Sequence, residues 1–193
     1  MPKLGMEPIR RAALVEATIA EVGFAGSLDV TVGQIARRAG MSSGLALHYF
    51  GGKDQIFAAA MGHILSMYGA AVRGALAHAK TPRARLDGII RASFDGDSFR
   101  PEVISAWLNF YVQAQTSPDA RRLLQIYQTR LRSNLLHDLR PLLGVRAPDA
   151  AENLASLIDG HYLRAALGND PGAAEKAADQ LSAALDSMLG AAR

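Results

Sequence analysis

The segment "TVGQIARRAGMSSGLALHYFGGK", residues 31–53, contains two helix starts separated by one glycine. Thr31 and Gln34 have the spacing of a capping box, in which the hydroxyl accepts a hydrogen bond from the third amide and the glutamine reaches back. Gly40 interrupts the helix that follows, and Ser42 is positioned to cap another. Two short helices joined by a brief turn that contains glycine are typical of a helix-turn-helix.

The rest of the chain is also predicted to be helical. Ala, Leu, Arg and Glu are plentiful, runs of β-branched residues are missing, and Gly or Pro separates the segments. We predict an all-α fold of nine helices, with an N-terminal three-helix domain in front of a larger helical one. The predicted helices cover about residues 7–25, 31–39, 42–49, 53–80, 81–94, 100–116, 117–140, 148–169 and 170–192, the seventh ending before Pro141.

Composition excludes several classes of protein. The chain has no cysteine, which removes disulfides, zinc fingers, iron–sulfur clusters and thiol nucleophiles together. Its five histidines are scattered without HExxH or another paired metal spacing, and the P-loop and GxGxxG motifs are missing. We therefore expect no metal, no cofactor and no enzymatic activity. No secretory h-region and no apolar run near the roughly 20 residues of a membrane span is present, so we expect a cytoplasmic protein without membrane contact.

A helix-turn-helix places its second helix in the major groove of DNA, with the first residues of that helix near the base edges. Ser43 and Gly44 are small enough there for close approach, and Leu47 and His48 follow on the same helix. Helix N-termini attract phosphate through their free amides and their dipole. The residues expected to bind phosphate around this helix are Thr31, Ser42, Tyr49 and Lys53.

The continuous match from the capping box to His-Tyr-Phe-Gly-Gly-Lys resembles the DNA-binding signature of the TetR family of bacterial repressors. The resemblance implies a helix-turn-helix DNA-binding domain over residues 1–52. It implies a helical domain for effector binding and dimerisation over residues 53–193, and double-stranded operator DNA as a partner. Family members often carry an aromatic residue one turn before the position of Tyr49, where this chain has Leu47 and His48.

The last two predicted helices form a hairpin closed by residues 168–172. Each has apolar residues at helical spacing, which suits either a core within the chain or a four-helix dimer interface. The resemblance favours a homodimer through these helices, because two DNA-binding domains then add their binding free energies on two half-sites. The apolar residues concerned are Leu154, Leu157, Ile158, Leu163 and Leu167 in one helix and Ala177, Leu181, Ala184, Leu185 and Met188 in the other.

Trp107, Phe110 and Tyr111 project from one side of a predicted helix, in a pattern that fits either a core or a ligand site. Aromatic faces attract a quaternary ammonium group through cation–π interaction. The segments "IARRAGMSSGLALHYFGGK", "AWLNFY" and "LIDGHYLRAAL" together resemble a branch of the family that represses choline-to-glycine-betaine genes and is relieved by choline. On that resemblance the choline-binding candidates are Trp107, Phe110, Tyr111 and Tyr162, with Glu102 or Asp159 as counter-charge.

Three alternatives remain open at this point. The effector of a repressor of this kind could be a different cationic or drug-like molecule. A dimeric helical binding module without DNA recognition would require a damaged helix-turn-helix, whereas the capping residues, Tyr49 and Lys53 are all in place. An enzyme would be indicated by turnover of choline or a related amine by the purified protein.

Overall fold

The computed structural model describes residues 5–168 and 170–190 of the 193-residue chain. The described residues form nine α-helices and one 3-10 turn and include no strand, so the predicted all-α fold is confirmed. The helices are α1 Met6–Ala25, α2 Val32–Arg38, α3 Ser43–Phe50, α4 Lys53–His78, α5 Pro82–Ala92, α6 Pro101–Gln113, α7 Pro118–Leu143, α8 Ala147–Leu167 and α9 Ala173–Gly190, with the 3-10 turn Gly144–Arg146 between α7 and α8.

Side-chain caps fix where several helices begin. The hydroxyls of Thr31, Ser42 and Thr81 each accept a hydrogen bond of 3.2 Å from the amide three residues later. At α2 the capping box is complete, because the Gln34 side chain also accepts from the Thr31 amide at 2.7 Å. These caps satisfy amides that have no partner within the helix, which confirms the predicted helix starts.

The predicted end of the seventh helix before Pro141 is wrong. Helix α7 continues through Pro141 and ends at Leu143, where Gly144 adopts a φ of +53°. Proline removes one amide donor and crowds the preceding turn. The last turn is nevertheless retained because Leu139 and Leu143 are buried, at 0% and 8% exposure, and would leave the core if the helix stopped earlier.

The chain divides into two compact units, of which the first comprises Met1–Ser66 and Arg100–Leu124. It holds α1, α2, α3 and α6 with the beginnings of α4 and α7. Helix α1 lies at its centre and packs against α2, α3 and α6. The completely or almost completely buried side chains of this unit include those of Leu14, Ile19, Ile35, Ala46, Ile56 and Phe110.

The second unit comprises Met67–Phe99 and Gln125–Arg193. It holds α5, α8 and α9 with the end of α4 and most of α7. Helix α9 packs against both α8 and α5, so the predicted hairpin of the last two helices is confirmed. The predicted boundary between residues 52 and 53 separates a DNA-binding domain from an effector-binding and dimerisation domain. It is a functional division and stays a prediction. Buried side chains of this unit include those of Leu86, Ile89, Ile90, Leu131, Leu135, Leu154, Leu181 and Leu185.

Helix α4 is the one helix in the described ranges that is long and apolar enough to cross a membrane, with a mean hydropathy of 1.3 over its best window. Ile56, Phe57 and Met61 of this helix are buried in the first unit, and Val72 is buried in the second. A helix with buried apolar residues in two protein cores has the pattern of a core helix rather than of a lipid-facing one.

Candidate DNA-binding surface and ligand site

The first three helices form one small body around a shared core. Ile35 and Ala36 of α2 and Ala46 of α3 are completely buried, and α1 contacts both helices. Gly40 makes the turn between α2 and α3 with a φ of +67°, a backbone conformation that other residues rarely adopt. The small side chains at Ala36 and Ala46 let the two helices pack closely.

Opposite the buried side, α3 presents the four residues predicted to approach bases. Ser43, Gly44, Leu47 and His48 are exposed, and Leu47 retains 42% of its accessible surface. Their spacing of one, three and four residues places them on one face of the helix. An exposed face with small residues at its N-terminal end has the shape that insertion into a major groove requires.

The four residues predicted to bind phosphate lie at the starts of α2, α3 and α4 and near the end of α3. Thr31 and Ser42 are exposed at the N-termini of α2 and α3, although both hydroxyls already accept the capping hydrogen bonds. Tyr49 is half-buried at the end of α3, and Lys53 begins α4 with its ammonium 5.4 Å from the centroid of the Phe57 ring. All eight predicted DNA-binding residues thus belong to α3, to its cap or to the starts of α2 and α4, and their contact with DNA stays a prediction.

Two arginines of α1, which the sequence analysis did not single out, contact the end of α3. Arg10 donates a hydrogen bond of 3.2 Å from Nη1 to the hydroxyl of Tyr49. The Arg11 guanidinium lies 5.0 Å from the centroid of the Phe50 ring and is paired with Glu7 at 2.8 Å. The contact between Arg10 and Tyr49 joins residues 39 positions apart, so no local spacing in the sequence indicates it.

Gly40, Ser42 and Gly44 also have the G-x-S-x-G spacing found around hydrolase nucleophiles. In those enzymes the serine lies on a turn from a strand into a helix and is paired with a histidine. Here Ser42 follows helix α2, and its hydroxyl accepts from the amide of Leu45. Within the described ranges no histidine or carboxylate is hydrogen-bonded to it, so the spacing serves a helix cap.

Four of the six predicted ligand-binding residues belong to the first unit. Trp107 is 8% exposed, with its ring centroid 5.7 Å from that of Phe110 and 5.5 Å from that of Tyr111. Phe110 is 1% exposed and lines a small apolar cavity with Phe57. Glu102 lies so close to α1 that any side chain at Gly23 would collide with it. Trp107 and Phe110 therefore contribute to the core of the first unit, whereas Glu102 and Tyr111 are half-buried.

The other two, Asp159 and Tyr162, are one helical turn apart on α8 in the second unit. A carboxylate oxygen of Asp159 accepts a hydrogen bond of 2.7 Å from the hydroxyl of Tyr127. The ring of Tyr127 is 5.7 Å from the ring of Tyr68, whose hydroxyl is 3.1 Å from Ser93 Oγ. A predicted ligand residue is thus connected to side chains from α4 and α7 and to Ser93, the residue that follows α5.

Tyr162 brings two further rings to the same turn of α8. Its ring centroid is 4.9 Å from that of Phe99 and 6.5 Å from that of Phe94, and its hydroxyl donates to the carbonyl of Ser98 at 2.9 Å. We call Asp159, Tyr162, Tyr68, Tyr127, Phe94 and Phe99 the aromatic–carboxylate cluster. Four of its members, Tyr68, Phe94, Phe99 and Tyr127, were missed from the sequence because they come from three separate segments: α4, the connection between α5 and α6, and α7.

Burial sets the electrostatics of the cluster. It raises the pKa of the Asp159 carboxyl above its ordinary value, and the hydrogen bond from Tyr127 only partly opposes that effect. Burial also raises the pKa of Tyr68 to about 12 and raises the pKa of Tyr162, so both phenols are neutral at physiological pH. Asp159, Tyr68, Phe99 and Tyr162 are only half-buried, which leaves part of the cluster accessible from solvent.

The apolar residues predicted to form a dimer seam divide into two groups. Leu154, Ile158, Leu181 and Leu185 are at most 1% exposed, so they belong to the core within the chain. The remaining candidates of α8 reach the surface, with Leu167 the most exposed at 66%. The homodimer through the last two helices stays a prediction, now resting on the exposed part of the hairpin.

Comparison with known sequence families finds two matches. Residues 14–60 match the family described as bacterial regulatory proteins of the tetR family. Residues 82–190 match the family described as the C-terminal domain of BetI-type transcriptional repressors. The chain is 51% identical over 171 residues to the HTH-type transcriptional regulator BetI of Brucella anthropi, covering 88% of each chain. It is 49% identical over 174 residues to BetI of Rhizobium meliloti, covering 89% of this chain and 85% of the relative.

Solved structures show the same fold. A transcriptional regulator from Pseudomonas aeruginosa PAO1 has a TM-score of 0.85 and 28% identity, with 97% of this chain and 93% of that chain covered. A transcriptional regulator from Saccharomonospora viridis, solved in complex with choline, has a TM-score of 0.81 and 19% identity, with 91% and 95% covered. At 19% identity, the similarity to the Saccharomonospora viridis regulator concerns the fold alone.

Proposed function

Because the chain belongs to the TetR family of bacterial transcriptional regulators and is a repressor of the BetI type, and not an enzyme, we propose that it represses genes for making glycine betaine from choline and is relieved by choline. The observation that carries the ligand half of this proposal is the aromatic–carboxylate cluster of the second unit. The exposed face of α3 carries the DNA half. We place the protein in the cytoplasm, where operator DNA and imported choline are both available.

The DNA half of the proposal uses α3 as a recognition helix. Ser43, Gly44, Leu47 and His48 approach base edges in the major groove, since they form the exposed face of that helix. Thr31, Ser42, Tyr49 and Lys53 bind the phosphates on either side, which fixes the register of the helix in the groove. A homodimer through the exposed part of α8 and α9 presents two such helices to two half-sites of one operator.

The ligand half assigns the trimethylammonium group of choline to the aromatic–carboxylate cluster. Asp159 supplies a negative charge, and desolvation of that carboxylate makes pairing with a permanent cation favourable. Tyr68, Tyr127 and Tyr162 supply aromatic faces, each cation–π contact contributing on the order of 0.5–2 kcal/mol. Glu102, Trp107, Phe110 and Tyr111 are the alternative site, in the first unit. The choline complex of the Saccharomonospora viridis regulator supports this ligand class on the shared fold.

Relief of repression requires that choline bind one conformational state better than another. A ligand with equal affinity for the DNA-binding and the released state would shift nothing. Helix α4 starts at Lys53 beside α3 and ends in the second unit, where it contributes Tyr68 to the cluster. We propose that this continuous helix carries the change from the ligand to the helix-turn-helix.

The chemistry of the cluster also suits other compact cations, so the effector is the part of the proposal that most needs a test. Fluorescence anisotropy on the DNA upstream of the gene, titrated with choline and betaine aldehyde, measures both halves at once. The matched control is 3,3-dimethylbutan-1-ol, which has the shape of choline without its charge. Release by choline and not by the neutral alcohol supports the proposal. Tight DNA binding that no choline concentration changes would replace choline with another effector, and absence of DNA binding would refute the repressor.

A further inference from the structure

Helix α1 contributes an arginine to the side of α3 where Tyr49 lies. The Nη1 atom of Arg10 donates to the Tyr49 hydroxyl at 3.2 Å, across a part-buried contact. Its neighbour Arg11 is different, because that guanidinium is paired with Glu7 at 2.8 Å. Arg38 of α2 is likewise paired, with Glu21 at 2.6 Å. Across the described part of the chain Arg10 has no carboxylate partner, so its charge is not neutralised by the protein.

The direction of the hydrogen bond leaves both groups able to bind an anion. A tyrosine hydroxyl accepts and donates, so a hydroxyl that accepts from Arg10 still has its own proton to donate. Arginine carries five N–H donors in a planar fork that matches phosphate, and Arg10 uses one of them here. The pair therefore offers a phenol proton and a guanidinium edge side by side.

We propose that Arg10 binds the same DNA backbone phosphate as Tyr49, so that the DNA-binding surface extends from the helix-turn-helix onto α1. This inference rests on the proposed function, since it assumes that Tyr49 faces a phosphate. It adds one charged contact for each helix-turn-helix. Phosphate contacts of this kind orient the protein on the duplex without reading sequence.

A second role for Arg10 would be to hold the Tyr49 side chain in place, and the two roles differ in salt dependence. Each phosphate neutralised by a protein cation contributes about 0.9 to the slope of log affinity against log salt concentration. A positioning residue that does not touch DNA acts only through the tyrosine hydroxyl. In a Tyr49→Phe background it therefore has nothing left to position, whereas a phosphate-binding arginine still has its phosphate.

The experiment measures DNA affinity between 50 and 200 mM salt for the full-length wild type, Arg10→Ala, Tyr49→Phe and the double variant. We expect Arg10→Ala to lower the slope by about 0.9 for each helix-turn-helix, in the wild type and in the Tyr49→Phe background alike. Over this salt range that slope corresponds to roughly a 3.5-fold smaller change in affinity. Arg10→Lys keeps the charge and should restore most of the slope.

The matched control is Arg130→Ala, which removes the same charge from an exposed position of α7 in the second unit and should leave the slope unchanged. Thermal unfolding followed by circular dichroism shows whether each variant is folded. Equal slopes for Tyr49→Phe and the double variant would overturn the inference and leave Arg10 a positioning residue. That result still leaves salt-dependent DNA binding by the wild type, whereas failure of the proposed function would remove the binding itself.

Discussion

The hydroxyl of Tyr127 donates a 2.7 Å hydrogen bond to the carboxylate of Asp159, and the two residues come from different helices, α7 and α8. The bond fixes one carboxylate oxygen among aromatic rings while Asp159 remains half-buried. A carboxylate held in this way can accept a cation without rearranging, which reduces the entropy lost on binding. The predictions for Asp159→Asn and for the pH dependence of choline binding depend on this pair.

Asp159→Asn should weaken choline binding strongly while leaving operator binding without choline unchanged. The amide keeps the shape of the carboxylate and a hydrogen bond with Tyr127, but it removes the only charge of the cluster that can pair with a cation. We expect an increase of about ten-fold or more in the choline concentration that releases half of the DNA, in line with hydrogen-bonded charges that contribute about 1.5–3 kcal/mol. Anisotropy titrations of both proteins on the same DNA measure it.

Trp107→Leu provides the comparison that chooses between the two candidate sites. Trp107 belongs to the aromatic group of the first unit, so a site in the second unit predicts that this variant keeps the choline midpoint of the wild type. If instead Trp107→Leu abolishes the response and Asp159→Asn does not, choline binds in the first unit. Circular dichroism must show that the Trp107→Leu variant is folded, because Trp107 is 8% exposed and its loss affects packing.

Choline affinity should rise with pH across the titration of Asp159. Burial raises the pKa of this carboxyl, so its protonated, neutral form persists to a higher pH than that of an exposed aspartate. Only the charged form pairs with the ammonium, and choline itself does not titrate in this range. The affinity is therefore lowest below the raised pKa and reaches a plateau above it. Calorimetric titrations at several pH values test this, and Asp159→Asn should show no such dependence.

Lys53→Ala should weaken binding to all DNA sequences about equally and lower the salt slope by about one for each helix-turn-helix. Lys53 is the first residue of α4, three positions after the end of α3, so we expect its ammonium to contact the DNA backbone and not the base edges. Affinity for upstream DNA and for an unrelated duplex should fall by the same factor. A loss confined to upstream DNA would make Lys53 a base-reading residue.

The helix-turn-helix could be predicted because its signals are local. Thr31, Gln34, Gly40 and Ser42 act through their neighbours in sequence, and all four do in the structure what their spacing indicated. The aromatic–carboxylate cluster could not be predicted in the same way. Its members come from three helices, α4, α7 and α8, and from the segment after α5, so no spacing along one helix reveals them.

Leu47→Ala should change which DNA sequence is preferred more than it changes affinity for random DNA. Leu47 is 42% exposed on α3, where its side chain contributes no phosphate contact and little to the core. Apolar side chains in the major groove discriminate through contacts such as those with the thymine methyl group. Selection of binding sites from a random pool, compared between wild type and variant, measures the change. Equal losses on selected and random DNA would contradict direct base contact.

Gly23→Ala should destabilise the first unit, because α1 is in close contact with Glu102 of α6 at this glycine. A Cβ atom at Gly23 would overlap the backbone and Cβ of Glu102, which a rotamer change cannot relieve. Overpacking of this kind costs about 1–3 kcal/mol in the free energy of unfolding. Gly62→Ala is the matched control, since a Cβ there meets nothing within 4 Å and a helical alanine is favoured over glycine by about 0.5–1 kcal/mol. The urea concentration at the midpoint of unfolding should therefore fall for Gly23→Ala and rise for Gly62→Ala. A stabilised Gly23→Ala would show that α6 can move away from α1 at little cost.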